Sequence, residues 1–220
     1  MPQEIIPGLH LLEGKGANCN AYLLEAPALV LIDTGLESGA GVLEKSISSL
    51  GYSAGDVGVV LHTHGHADHI GADALFPNAK KWMSAHDAKF VNARDYEFTA
   101  ANWFSQNFFP KIKNFYSANQ VFEFGKFSLE VVETPGHTRG SVSFYDKKNS
   151  VLFSGDTIFD MGVGRYDLVS ASKKELLASV EKISRLEYDF LLPGHGKIRS
   201  AGQKKNIGHC LLLLKNPGEI

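Results

Sequence analysis

Short apolar runs of this 220-residue chain repeatedly end in turns that carry histidine or aspartate. Val57–Leu61 runs into His62-Thr63-His64, and residues 127–132 run into Thr134-Pro135-Gly136-His137. Residues 151–153 run into Gly155-Asp156-Thr157, and residues 190–192 into Pro193-Gly194-His195-Gly196. Runs of this length, bounded by turn residues, are expected to be strands. Loops at one edge of packed sheets converge although they are distant in sequence. Four such strand ends therefore predict sheets with one edge loaded with imidazole and carboxylate.

The rest of the chain fits that expectation. Residues 20–24 and Leu29–Ile32 read as a strand pair split by the Ala26-Pro27 turn, and residues 80–84 and 141–145 as further strands. Residues 38–50 read as a helix stopped by Gly51, and residues 172–185 as an amphipathic helix capped by Ser172. Strands and helices alternate rather than segregate, which suggests an α/β fold with sheets covered by outer helices. The length suits one domain, residues 1–220. There is no internal repeat and no low-complexity tract.

Composition removes several classes. The net charge of -2 gives no bulk attraction to nucleic acid or to an anionic membrane. No apolar run approaches the ~20 residues that span a bilayer, and the N-terminus lacks a secretory pattern. The expected setting is the cytoplasm, with Cys19 and Cys210 as free thiols. Leu211–Leu214 is read as a short apolar patch.

Histidine is the anomaly: four of the nine fall between His62 and His69. In His64-Gly65-His66-Ala67-Asp68-His69 the i, i+2 imidazoles can aim at one ion. Asp68 and His69 can then reach a second ion about 3.5–4 Å away. Imidazole and carboxylate are the ligands of open catalytic zinc sites. Small Gly65 and Ala67 let the chain wrap closely.

These motifs, taken in order with Leu31-Ile32-Asp33-Thr34-Gly35, resemble the metallo-β-lactamase superfamily over nearly the whole chain. The resemblance implies an αβ/βα four-layer sandwich of two mixed sheets with outer helices. It implies that His64, His66 and His137 hold one metal, that Asp68, His69 and His195 hold a second, and that Asp156 bridges them together with a hydroxide. Two zinc ions per chain are expected, with iron or manganese as alternatives. Asp68 is the expected catalytic residue, orienting the hydroxide or passing a proton. Asp33 is expected to support the ligands or form a turn. His62 and His86 are expected outside the ligand set, and Cys19 is expected to be a packed strand residue.

The substrate is narrowed by resemblance alone. True β-lactamases of the superfamily carry Cys or Ser where Asp156 stands. The stretch Gly164-Arg165-Tyr166-Asp167-Leu168 is similar to that of glyoxalase II-like hydrolases, which cleave thioesters such as hydroxyacylglutathione. Tyr166 departs from the usual Thr there, and Arg165 with Asp167 is read as a structural ion pair. Only about twenty-five residues follow His195, too few for the helical domain that grips glutathione in the full enzymes of that kind. The expectation is a binuclear hydrolase of small carbonyl esters, thioesters favoured, with weak β-lactam turnover admitted. Alternatives are a lactonase or phosphodiesterase with the same site, a mononuclear iron persulfide dioxygenase, or a structural metal-binding protein.

Residues 87–119 form an insertion between the first and second ligand loops, with nine aromatics. Residues 87–107 read as helical, and Pro110 breaks the pattern. The aromatics are expected to pack on the sandwich, to wall the metals, or to form a homodimer surface.

Overall fold

The computed structural model describes residues 1–117 and 119–216. Seven strands form the first sheet: β1 (Gln3–Ile6), β2 (Leu9–Leu12), β3 (Ala21–Leu24), β4 (Leu29–Ile32), β5 (Val57–Leu61), β6 (Lys80–Met83) and β7 (Asn114–Phe115). They lie in chain order, antiparallel from β1 to β4 and parallel from β4 to β7. The second sheet contains β8 (Val121–Phe124), β9 (Phe127–Glu133), β10 (Val142–Asp146), β11 (Val151–Gly155) and, after a small β12 (Ile158–Phe159) and β13 (Gly162–Val163) pair, β14 (Phe190–Pro193). Its order is β14-β11-β10-β9-β8, antiparallel except for the parallel β11–β14 pair.

The two-residue period of a strand decides the layering. Tyr22, Leu24, Val30 and Ile32 face one way and meet Phe127, Leu129, Phe144 and Phe153 of the other sheet in a common core. Their neighbours Leu23 and Leu31 face the other way, against Leu43 and Ile47 of helix α1 (Ala40–Ser49). On the far side, Val132, Tyr145, Leu152 and Leu191 meet two helices, α4 (Lys173–Ile183) and α5 (Gln203–Lys215). Short helix α2 (Ala67–Ile70) carries Asp68 and His69 of the ligand motif, and α3 (Ala85–Asn92) follows β6 and runs into the insertion. The result is the four-layer αβ/βα sandwich, with both sheets mixed. Leu176, Val180 and Ile183 of α4 are wholly buried, each contributing roughly 1.5–3 kcal/mol by removal from water.

Strand direction makes the loaded edge. β9 and β11 are each antiparallel to β10, and β14 is parallel to β11, so the carboxyl ends of all three share one edge. In the first sheet β4 and β5 run parallel and deliver Asp33 and His62-Thr63-His64 from their carboxyl ends.

One expectation is corrected. Residues 87–107 are not one helix: α3 ends at Asn92, and the chain turns at Arg94 with φ 57°. Asp95 Oδ1 then accepts the Glu97 and Phe98 N–H groups, and only a 3-10 turn forms at Ala101–Phe104, bounded by left-handed Ala100 and Ser105. Beyond Pro110 the insertion joins the first sheet as β7. The tail patch Leu211–Leu214 belongs to α5, which buries Cys210 and Leu214 and exposes Leu212. The β1–β2 hairpin, β8 and the β12–β13 pair also go beyond the strands read from the sequence.

Candidate metal centre

Four loops bring all seven residues together. His64 Nε2 lies 3.1 Å from His66 Nδ1, which lies 2.9 Å from His137 Nε2. His69 Nε2 lies 3.3 Å from His195 Nε2, and His195 Nε2 lies 3.1 Å from Asp68 Oδ2. Asp156 stands between the clusters, with Oδ1 3.3 Å from His69 Nε2 and Oδ2 3.5 Å from His137 Nε2 and 3.7 Å from His195 Nε2. His64, His66 and His137 form one compact donor group, Asp68, His69 and His195 another, and His64, His69 and Asp156 a third that joins them.

The surroundings fix which ring atoms point inward. The Arg165 carbonyl only accepts, so His137 Nδ1–H donates to it at 2.8 Å, and Nε2 keeps its lone pair. The Thr63 hydroxyl donates to Asp33 Oδ2 at 2.7 Å, so its oxygen accepts from His64 Nδ1–H at 3.0 Å. His69 Nδ1–H donates to Asp33 Oδ2 at 2.9 Å. Inward-pointing Nε2 atoms of His64 and His137 therefore converge on His66 Nδ1, which can donate to only one of them. A cation would satisfy all three at once, and outer partners that fix ring orientation are what ligating histidines have.

Charge tells the same story. Burial, with the neighbouring imidazoles, holds His64 well below its usual range and His66 at about 3. Both are thus neutral, the form that ligates. Burial pushes Asp68 and Asp156 up, but His69 and His195 outweigh it and hold both carboxyls down. Burial pushes His69 and His195 down, but Cys19 first and then Asp156, Asp33 and Asp68 raise His69 above its usual range, and Asp156 and Asp68 raise His195. The Asp156 Oδ1 and His66 Nε2 atoms are buried without a hydrogen-bond partner. The donor set therefore fits one or two divalent ions.

Asp33 is the residue whose expected supporting role is visible. It holds His69 directly and His64 through Thr63, and it accepts the Thr63 N–H at 2.8 Å. His62 is fully buried, is not one of the seven, and pairs through Nε2 with Asp73 at 3.0 Å while its Nδ1 lies 3.9 Å from Asp33 Oδ1. His86 pairs with its neighbour Asp87 at 2.9 Å. Cys19 and Cys210 are free and buried. Cys19 lies against His69 and Asp33. Asp73 and Asp87 were missed at the level of sequence, because isolated acidic residues in a charged chain carry no spacing signal. Gly194 is required by close approach: a Cβ there would collide with Asp156 Oδ1.

A cavity of about 390 Å³ opens over His66, Asp68, His137, Asp156 and His195. Its remaining wall is mostly apolar, including Trp103, Phe104, Phe159, Val163 and Leu168. The expected Arg165–Asp167 pair forms at 2.7 Å, and Arg165 also lies 5.1 Å from the centre of the Trp103 ring. A larger depression of about 800 Å³ at the junction of α4 and α5 contains none of the seven residues.

A two-sheet sandwich with histidine and aspartate loops at one edge defines a class of metal-dependent hydrolases. Residues 14–195 match the Metallo-beta-lactamase superfamily, and the chain belongs to that superfamily. It is similar to a probable metallo-hydrolase of Methanocaldococcus jannaschii, 31% identical over 194 residues that cover 85% of this chain and 92% of the relative. It is also similar to hydroxyacylglutathione hydrolase GloC of Haemophilus influenzae, 28% identical over 92% of this chain and 94% of the relative. These relatives support a glyoxalase II-like member. Among solved structures it resembles TTHA1623 in a di-iron-bound form, with a TM-score of 0.70, 29% identity, and coverage of 99% and 98%.

Proposed function

We propose that the chain is a two-metal hydrolase of small carbonyl esters, with thioesters preferred. The observation that carries the two-metal reading is the position of Asp156. Its carboxylate lies within 3.3–3.7 Å of imidazoles from both clusters. The di-iron form of TTHA1623 supports it, and the same donor chemistry admits zinc, iron or manganese. In this reading His64, His66 and His137 hold the first ion, Asp68, His69 and His195 the second, and Asp156 both.

Bound divalent ions would acidify a water and polarise the substrate oxygen. The chain supplies the rest. Asp33 keeps His64 and His69 in the orientations that present Nε2 inward. Asp68 is only slightly exposed and lines the cavity, with Oδ2 toward His195. It orients the attacking water and carries its proton toward the leaving group. Trp103, Phe104 and Leu168 wall off bulk water and receive an apolar acyl arm.

The preference for thioesters rests on the likeness to hydroxyacylglutathione hydrolase GloC and on the Gly-Arg-x-Asp-Leu stretch. The test is a panel of thioester, lactone, phosphodiester, β-lactam and persulfide substrates, each with and without chelator. Thioesters should give the highest kcat/KM, and chelator should abolish it. Preferential turnover of a β-lactam or phosphodiester would contradict the substrate class. Oxygen consumption on a persulfide with one tightly held iron would contradict the hydrolytic reading.

A further inference from the structure

Asp87, in the first turn of α3, is fully buried and is not one of the seven clustered residues. Its Oδ2 accepts the Gly65 N–H at 3.0 Å and the Thr138 hydroxyl at 2.7 Å. Its Oδ1 faces His86 Nδ1 at 2.9 Å. Gly65 lies between His64 and His66, and Thr138 follows His137. One oxygen thus joins the two loops that carry the three imidazoles of the first cluster. Packing holds the junction tight on both sides. A Cβ on Gly65 would lie 3.1 Å from Asp87 Cβ, from the Phe98 ring and from Val91, and one on Gly140 would collide with Ser84 Oγ and Asp87 Oδ1. Thr138 is fixed in turn by Ser141, whose Oγ accepts its N–H at 3.0 Å.

We propose that Asp87 is a positioning residue that sets the spacing between the His64/His66 pair and His137, and through it the affinity of the first metal position. The inference rests on the two-metal reading above. Between these two loops from different sheets the backbone hydrogen bond is the one from Val142 N–H to the Thr63 carbonyl at 2.9 Å, which precedes His64 and leaves Gly65, His66 and the His137 turn to be set by side-chain bridges. A side-chain oxygen that takes two donors can bridge them, and alanine cannot. Asparagine can: its carbonyl oxygen accepts from Gly65 and Thr138, while its amide donates to His86 Nδ1 in the other tautomer. The contrast between alanine and asparagine therefore separates bridging from charge. Removal of a partner one shell out from a metal weakens binding by about 10–100-fold.

The experiment titrates metal-free wild type, Asp87→Ala, Asp87→Asn and His66→Ala with Co2+, followed by visible absorption and calorimetry. Thermal unfolding of each metal-free chain is the folding control. Wild type should take up two equivalents. Asp87→Ala should weaken one equivalent by about 10–100-fold, the same one that His66→Ala removes, and leave the other unchanged, while Asp87→Asn stays within about 3-fold of wild type. If Asp87→Ala does not fold, Thr138→Val, which removes one of the two bridged donors, should weaken the same equivalent to a smaller extent. Unchanged affinities in Asp87→Ala, or in Thr138→Val if that is the variant measured, overturn the inference alone. So does an Asp87→Asn chain as weak as Asp87→Ala, or equal weakening of both equivalents. A wild-type chain that takes up no second ion overturns the two-metal reading and this inference with it.

Discussion

At the scale of single residues, the decisive feature is that polar side chains are buried in a mutually dependent set. His66→Ala should lose one ion per chain and Asp156→Ala should weaken both, each with more than ~100-fold loss of hydrolysis, because ligand loss exceeds the ~10–100-fold cost of losing an outer partner. Elemental analysis beside kcat/KM checks this, and activity lost with full metal content would contradict it. The two thiols give an independent check. Burial pushes Cys19 and Cys210 up to about 11. At pH 8 each is then about one part in 10³ thiolate, and the thiolate is the reactive form. Neither thiol should react with a disulfide reagent in the native protein at pH 8, both should react on unfolding, and native reactivity should rise as pH approaches 11. Rapid native reaction of either would contradict the packing described. The seven clustered residues were legible in the sequence because turns with a histidine or aspartate next to glycine follow four strands, in an order that resembles the superfamily's motifs. Asp73 and Asp87 were not, because their roles come from where α3 and the loop after α2 fold back, and no local pattern reports that.

At the scale of elements, regular hydrophobic periodicity carried over and irregular segments did not. α4 appears where Leu176, Leu177, Val180 and Ile183 repeat at helical spacing, and Ser172 Oγ accepts the Glu175 N–H at 3.3 Å as its cap. Ser172→Ala should cost about 1 kcal/mol, read as a fall in Tm of roughly 2–4 °C for a domain of this size. An unchanged Tm would remove the cap from the account. The insertion reads as helical because its composition favours helix, yet Asp95 and left-handed Ala100 and Ser105 break it into turns. Its nine aromatics divide accordingly. Phe98 is buried beside His66, Tyr116 packs on the central core, and Trp103 and Phe104 face the cavity. Trp103→Ala combined with Phe104→Ala should lower kcat/KM selectively for long acyl chains, with metal content unchanged. An equal loss on all chain lengths would make the segment scaffold, and a halved mass in solution would make it a dimer surface.

At the scale of the whole molecule, fold and centre depend on one another. Strand-length runs alternating with amphipathic helices made an α/β fold with outer helices legible, and the resemblance of the motifs to the superfamily implied the sandwich. Its hairpin edge at β1–β2 was not legible, because Gln3–Ile6 is short and has no fully buried residue. The seven residues come from both sheets, so ions bound between them would tie the halves of the sandwich together. Ligand present at about 1,000 times its Kd stabilises the native state by ~4 kcal/mol, or roughly 8–16 °C in Tm at this size. Chelation should lower Tm by about that amount and re-addition of metal should restore it. No described helix is long and apolar enough to cross a membrane. If two ions share Asp156, the metal-free wild-type chain titrated with Zn2+ will report both. Two equivalents should bind per chain, both weakened in Asp156→Ala. Uptake of a single ion, or two ions whose affinities ignore Asp156, would contradict that sharing.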